Sequence, residues 1–174
     1  KMNSSGVIAT DTTGVGTARY SLGATTYGGD KGVYGFGITN GNSNLSNKVS
    51  NVGTVATDTS GVGTARGKVG AAGFGGDKGI FAFGASGPMN ISNLVSNQGA
   101  IATDTAGVGT AREALAATAY GLDTCVFAYG GLANNLNMSN KVSNQGVVAS
   151  DTSGVGSFRW EVSAVGYDSD KGIF

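Results

Sequence analysis

The chain is 174 residues long, balances 11 basic against 11 acidic side chains, has no histidine, and devotes 32 positions to glycine but only one, Pro88, to proline. Zero net charge excludes a global field that would draw in nucleic acid or an anionic membrane, and no apolar run approaches the ~20 residues of a membrane-spanning helix. Glycine far above the usual ~7 %, without a three-residue period, excludes collagen, and 40 % hydrophobic residues exclude disorder, which leaves a tight, turn-rich β protein.

In chain order, "KMNSSG" at Lys1 is the remnant of a motif that returns as "NKVSNVG" at Asn47, "NLVSNQG" at Asn93 and "NKVSNQG" at Asn140. A second motif, "TDTTGVGTAR", spans residues 10–19 and returns at 57–66, 103–112 and, as "SDTSGVGSFR", at 150–159. Its aspartates, Asp11, Asp58, Asp104 and Asp151, are 47, 46 and 47 residues apart. After each arginine come alternating apolar residues, Leu22 and Ala24, Val69 and Ala71, Leu115 and Ala117, Val162 and Ala164, a two-residue period that predicts a strand with one buried face. A glycine-aspartate turn then leads into "KGVYGFG" or "KGIFAFG", dense enough to predict a strand buried on both sides. The "NLVSN" and "GAIAT" segments predict two further short strands.

Four strands in a period of about 46 residues match a β-propeller blade, whose expected length is ~40 to 50. About 3.7 units are present, at approximately 1–47, 48–93, 94–140 and 141–174. The last is expected to be completed by the N-terminal strand or by sequence outside the chain, and an excerpt of a longer array is the favoured expectation. Solenoid coils have shorter periods of ~20 to 30 residues. Helical repeats need long glycine-free stretches, and only "AREALAATAY" in the third unit offers one; glycines interrupt its equivalents, so a strand is expected there too.

The order of these segments, with "YGGDKGIFAFG" and the arginine-ended loop, resembles the kelch repeat, which implies an all-β propeller of four-stranded blades. Two departures are that a glycine pair follows the apolar strand only at Gly130 and Gly131, and that Trp160 occupies a different place from the tryptophan of that repeat. The near-identical copies of "NLVSN" followed by "ATDT" and "GVGTAR" also resemble arrays in large virion proteins of tailed bacteriophages, including those infecting cyanobacteria. That resemblance implies an extracellular or virion location, with other subunits of an assembly or a cell-surface receptor or glycan as partners.

For chemistry, "GVGTAR" contains a G-x-G, but a phosphate loop needs a helix after its glycines, whereas a strand follows here. A calcium site needs several carboxylates, whereas each motif offers one aspartate. The expected role is structural: Asp11, Asp58, Asp104 and Asp151 shape turns at glycines of unusual φ, while Arg19, Arg66, Arg112 and Arg159 pair with a carboxylate or cap carbonyls of a neighbouring unit. Catalysis would need a residue unlike its copies. Cys125 has no histidine to activate it and is expected to be a packed thiol, while Trp160 and Glu161 are the candidates for a ligand surface. The expectation is therefore a protein without cofactor or metal, not an enzyme, serving as a structural or adhesion module, with a multivalent carbohydrate-binding propeller as the alternative. The "ITNGNSNLSN", "ASGPMNISN" and "GLANNLNMSN" loops lack the repeated aromatic that the alternative wants.

Overall fold

The computed structural model describes residues 1–107, 109–131, 136–154 and 156–174; residues 132–135, in the third asparagine-rich loop, lie outside the described residues. Among the described residues the chain is all-β, in four small antiparallel sheets. The first is β1 (Gly23–Tyr27), β2 (Lys31–Gly35) and β3 (Ser46–Val49), the second β4 (Gly70–Phe74), β5 (Lys78–Ala85) and β6 (Pro88–Val95). The third is β7 (Ala116–Tyr120), β8 (Thr124–Ala128) and β9 (Ser139–Val142), and the fourth only β10 (Val165–Tyr167) and β11 (Lys171–Ile173). The helical-looking "AREALAATAY" contributes β7. No helix is long and apolar enough to cross a membrane.

Each unit opens with a hairpin in which Tyr27 pairs with Lys31, and Phe74 with Lys78, across a turn holding two successive residues at positive φ. Gly28 and Gly29, or Gly75 and Gly76, supply that conformation without steric cost. The third and fourth copies place Leu122, and then Asp168 and Ser169, at the same angles.

The fourth strand expected in each unit is present only as an irregular return along the third. Val55, Ile101 and Val148 bridge to Val49, Val95 and Val142, and Thr59, Thr105 and Thr152 bridge to Ser46, Ser92 and Ser139. Regular pairing is lost because the aspartate before each of these threonines leaves the ladder to bind elsewhere, as described below.

Successive sheets pack face to face. The side chain of Phe81 lies over Gly23 and Gly35, where an added Cβ would stand 3.2 and 3.0 Å from its ring. One unit on, Phe127 lies over Gly70 at 2.8 Å. An aromatic knob on the second strand of one unit thus fills a hollow that only glycine leaves open on the unit before. Phe36 meets Phe81, and Phe83 meets Phe127, edge to face. Two clusters form the core, one of Tyr27, Val33, Phe36, Val69, Phe81 and Val95, the other around Ile80, Phe83, Cys125, Phe127 and Val142.

Neighbouring units come closest along β1, β4, β7 and β10, and their third strands make no comparable approach. Two ladders of backbone hydrogen bonds run across the units beside these first strands. In one, the Gly28, Gly75 and Gly121 N–H groups donate to the Asp77, Asp123 and Asp170 carbonyls at 2.7, 2.6 and 2.9 Å. In the other, Lys68 donates to Ser21, Ala114 to Lys68 and Glu161 to Ala114, at 2.8, 3.2 and 3.0 Å. All four residues of the second ladder have φ near +50°, which turns each N–H and C=O along the stack.

Candidate functional site

One arrangement of charged groups recurs in every complete unit and is built from the "GVGTAR" loops. Asp58 accepts the Thr17 N–H and hydroxyl at 2.8 and 2.7 Å, the Asn47 amide at 2.9 Å and the Arg19 guanidinium at 3.3 Å. Asp104 accepts the Thr64 N–H at 3.0 Å and hydroxyl at 2.7 Å and the Asn93 amide at 2.9 Å, with Arg66 at 3.9 Å. Asp151 repeats this with Thr110, Asn140 and Arg112.

The turn-shaping role expected of the aspartate is thus corrected. Its carboxylate receives no N–H of its own turn among these bonds but reaches the loop some 40 residues earlier in the chain. The sheets explain the distance: Asp58 ends the return along β3, and Thr17 and Arg19 lead into β1, so the staple ties the two borders of one sheet together. The expected pairing of arginine with carboxylate does occur, but within a sheet. What reaches the neighbouring sheet is the flat face of the guanidinium. Arg66 lies 4.1 Å from the Phe36 ring centre, Arg112 4.0 Å from Phe83 and Arg159 5.0 Å from Tyr129.

The two glycines of the loop have different reasons. Gly63 sits at φ +88°, and a Cβ there would fall 2.4 Å from the Asp104 carboxylate and 2.6 Å from the Asn93 amide. Gly61 has no positive φ; a Cβ on it would run into the backbone of Asn44, at 1.9 Å from the carbonyl oxygen. The unusual φ expected of both glycines therefore holds for one, and close approach of two backbones accounts for the other. The Asn44, Asn90 and Asn137 side chains lock this contact by donating to the Gly63, Gly109 and Gly156 carbonyls.

Arg66 and Arg112 are fully buried. Arg66 donates Nε–H to the Phe83 carbonyl at 2.7 Å, Nη2–H to Asn93 at 2.6 Å and Nη1–H to the Thr64 carbonyl at 3.1 Å. Burial pushes both guanidiniums down to about 10, against the pull of Asp104 and Asp151, so both remain charged at neutral pH. Asp58 is held down to about 2 by the Thr17 hydroxyl, the Asn47 amide, the Thr17 N–H and Arg19. Burial works against the charge on Asp104 and Asp151, yet the same donors outweigh it and leave both below the ordinary carboxylate range.

A carboxylate surrounded by N–H and O–H donors is poor ground for a cation, which would have to displace every donor. Among the described residues no three carboxylate, thiol or imidazole side chains converge. Cys125 is fully buried in β8 and its thiol is pushed up to about 12 by burial, so it is a packing group without thiolate reactivity.

The residues without counterparts in other units do converge. Lys68 Nζ lies 2.6 Å from Glu113 and 5.2 Å over the Trp160 ring, while Glu161 borders the adjoining groove with Ser21, Leu22, Leu115 and Val162. Trp160 is half-exposed with one face taken by the lysine. Asp11 and Arg159, at the two ends of the stack, form no ion pair among the described residues, and Arg159 donates instead to the Phe174 carbonyl. Sequence reasoning missed Asn47, Asn93 and Asn140, the centre of each staple, and Phe36, Phe83 and Tyr129 beneath the arginines. Their signal was register: each occurs once per unit at a fixed distance from the aspartate.

Fold and site together define an all-β repeat protein of face-packed antiparallel sheets, the three-stranded ones each stapled by an internal Asp-Asn-Arg-Thr network. In comparison with known proteins, the chain matches no family model and no curated protein.

Proposed function

We propose that the chain is a non-enzymatic structural or adhesion module, built as a kelch-like β-propeller and belonging to a larger extracellular or virion-associated protein. It would present loops to protein partners. The observation behind this reading is where the charges go. The Asp, Asn and Arg that recur with the "GVGTAR" motif are consumed in each complete unit by bonds that hold one sheet together. The fan-like convergence of the units on their first strands supports a propeller, because blades approach at the axis and diverge outward. A lectin with one site per unit finds less support, since Trp160 is the sole tryptophan and Lys68 covers one of its faces.

Two measurements on the purified chain test this. The expected results are a melting temperature unmoved by calcium or a chelator, and no binding to a glycan array by a multivalent preparation. Reproducible binding of one glycan class would replace the structural reading with the lectin one.

A further inference from the structure

The asparagines that recur with the motifs are locked in place. Asn44 and Asn90 donate to the Gly63 and Gly109 carbonyls, and Asn47, Asn93 and Asn140 each donate both to a backbone carbonyl and to a staple carboxylate. Asn40 belongs to no motif. It lies exposed at the tip of the β2–β3 loop, in a turn closed by the bridge between Ile38 and Asn42. The hydrogen bonds of this turn run from the Thr39 N–H and hydroxyl to the Gly41 carbonyl, at 2.9 and 3.4 Å, and among the described residues none engages the Asn40 amide or the Gly41 N–H.

Asn40–Gly41 is the one asparagine–glycine pair in the sequence, and a Cβ built on Gly41 would have nothing within 4 Å. The same tip is open inside the stack. Its counterparts in the second unit, Ser86 and Gly87, are exposed although a sheet packs on either side, and Gly87 too has nothing within 4 Å. The openness therefore belongs to this place in the unit and not to the outer face of the first sheet.

We infer that Asn40 is a site of self-catalysed covalent modification, at which its side-chain amide is exchanged for a carboxylate. The Gly41 nitrogen gives its proton to solvent base and attacks Asn40 Cγ. The bond from Cγ to the amide nitrogen breaks, that nitrogen takes a proton from water and leaves as ammonia, and a cyclic imide closes. Water then opens the imide at either carbonyl, giving aspartate or isoaspartate, so that one water is taken up and one ammonia released with no oxidant or reductant. The attack needs a backbone nitrogen without an acceptor and a backbone free to swing it over Cγ, and a glycine in open space meets both needs. Asn42, two residues on, fails the first, because the Ser43 N–H that follows it is held by the Gly37 carbonyl at 2.8 Å. The change places one negative charge on a chain of zero formal net charge, in the first unit alone, since the second has Ser86 at this tip. The inference goes beyond the module reading above and does not depend on it.

The test incubates the purified, folded 174-residue chain in mildly alkaline buffer and follows it by ion-exchange chromatography and peptide mapping. Tryptic cleavage after Lys31 and Lys48 releases residues 32–48, which hold Asn40, Asn42, Asn44 and Asn47 together. A more acidic species should grow with time, faster at higher pH, and fragmentation should place the change at Asn40 as the mixture of aspartate and isoaspartate that an imide gives. Gly41→Ala should slow the conversion at least about tenfold, because a Cβ restricts the swing of the backbone. Asn40→Ser should abolish the acidic species, and circular dichroism would show that both variants keep the fold. The chain unfolded in urea supplies the reference rate. No conversion, conversion shared evenly among the four asparagines, a Gly41→Ala variant that converts like the parent, or a folded rate more than about tenfold below the unfolded one would each overturn the inference.

Discussion

At the residue scale the arginines of "GVGTAR" are the costliest side chains to lose. Arg66 is fully buried with donors on two carbonyls and the Asn93 amide oxygen, and its face rests on Phe36. Arg66→Met keeps much of the apolar stem but strands those acceptors away from water, at about 1–3 kcal/mol for each group left unpaired. We expect a loss of about 3 kcal/mol in chemical denaturation. Arg159, at the same motif position, is exposed, and among the described residues its guanidinium donates one hydrogen bond, to the Phe174 carbonyl, so Arg159→Met should cost under about 0.5 kcal/mol. Equal effects would mean that the motif acts locally rather than through the stack. The motif was legible as structural because it repeats; its partners were not, because Asp58 and Thr17 lie 41 residues apart and no local rule joins them.

At the scale of elements, strands and turns could be read from alternation and glycine, but not which face is buried. Ala24 is exposed while Gly23, Thr25 and Tyr27 are buried, because the neighbouring sheet packs on the face that holds the glycine. The glycines within strands could not be read either. Gly70 stands in β4 with no positive φ, and its reason is the Phe127 ring that occupies the space a Cβ would take. Gly70→Ala forces that buried ring to move and should destabilise by about 1–3 kcal/mol, as overpacking does. Gly41, which has nothing within 4 Å of its built Cβ, is the control, and Gly41→Ala should stay within about 0.5 kcal/mol of the parent. If both substitutions were neutral, the sheets would not be packed as closely as the ring-over-glycine contacts require. The fourth strand was overestimated in sequence for a related reason: alternation in "GAIATDT" continues through the aspartate, but its side chain is drawn off to the staple and the ladder breaks into isolated bridges.

For the molecule as a whole, the all-β class could be read from composition and period, whereas the order in which the sheets stack came from contacts between units. The staples also make stability depend on acid. Asp58 titrates at about 2 when folded, against 3.8 ordinarily, and Asp104 and Asp151 are shifted in the same direction by their threonine and asparagine donors. A carboxylate whose folded value is depressed contributes stability that is fully present above the unfolded value and is lost as pH falls through the folded one. The melting temperature should therefore be insensitive to these groups above about pH 5 and fall between about pH 4 and pH 2. Replacing all three with asparagine removes the titrating charge while keeping a side chain of similar shape. The triple variant should melt lower than the parent at pH 7 and lose much less on acidification, so that the two curves converge near pH 2. A triple variant that tracked the parent's fall across this range would place the acid sensitivity outside the staples, with the exposed hairpin Asp30, held below the ordinary carboxylate range by Lys31, as the next group to replace.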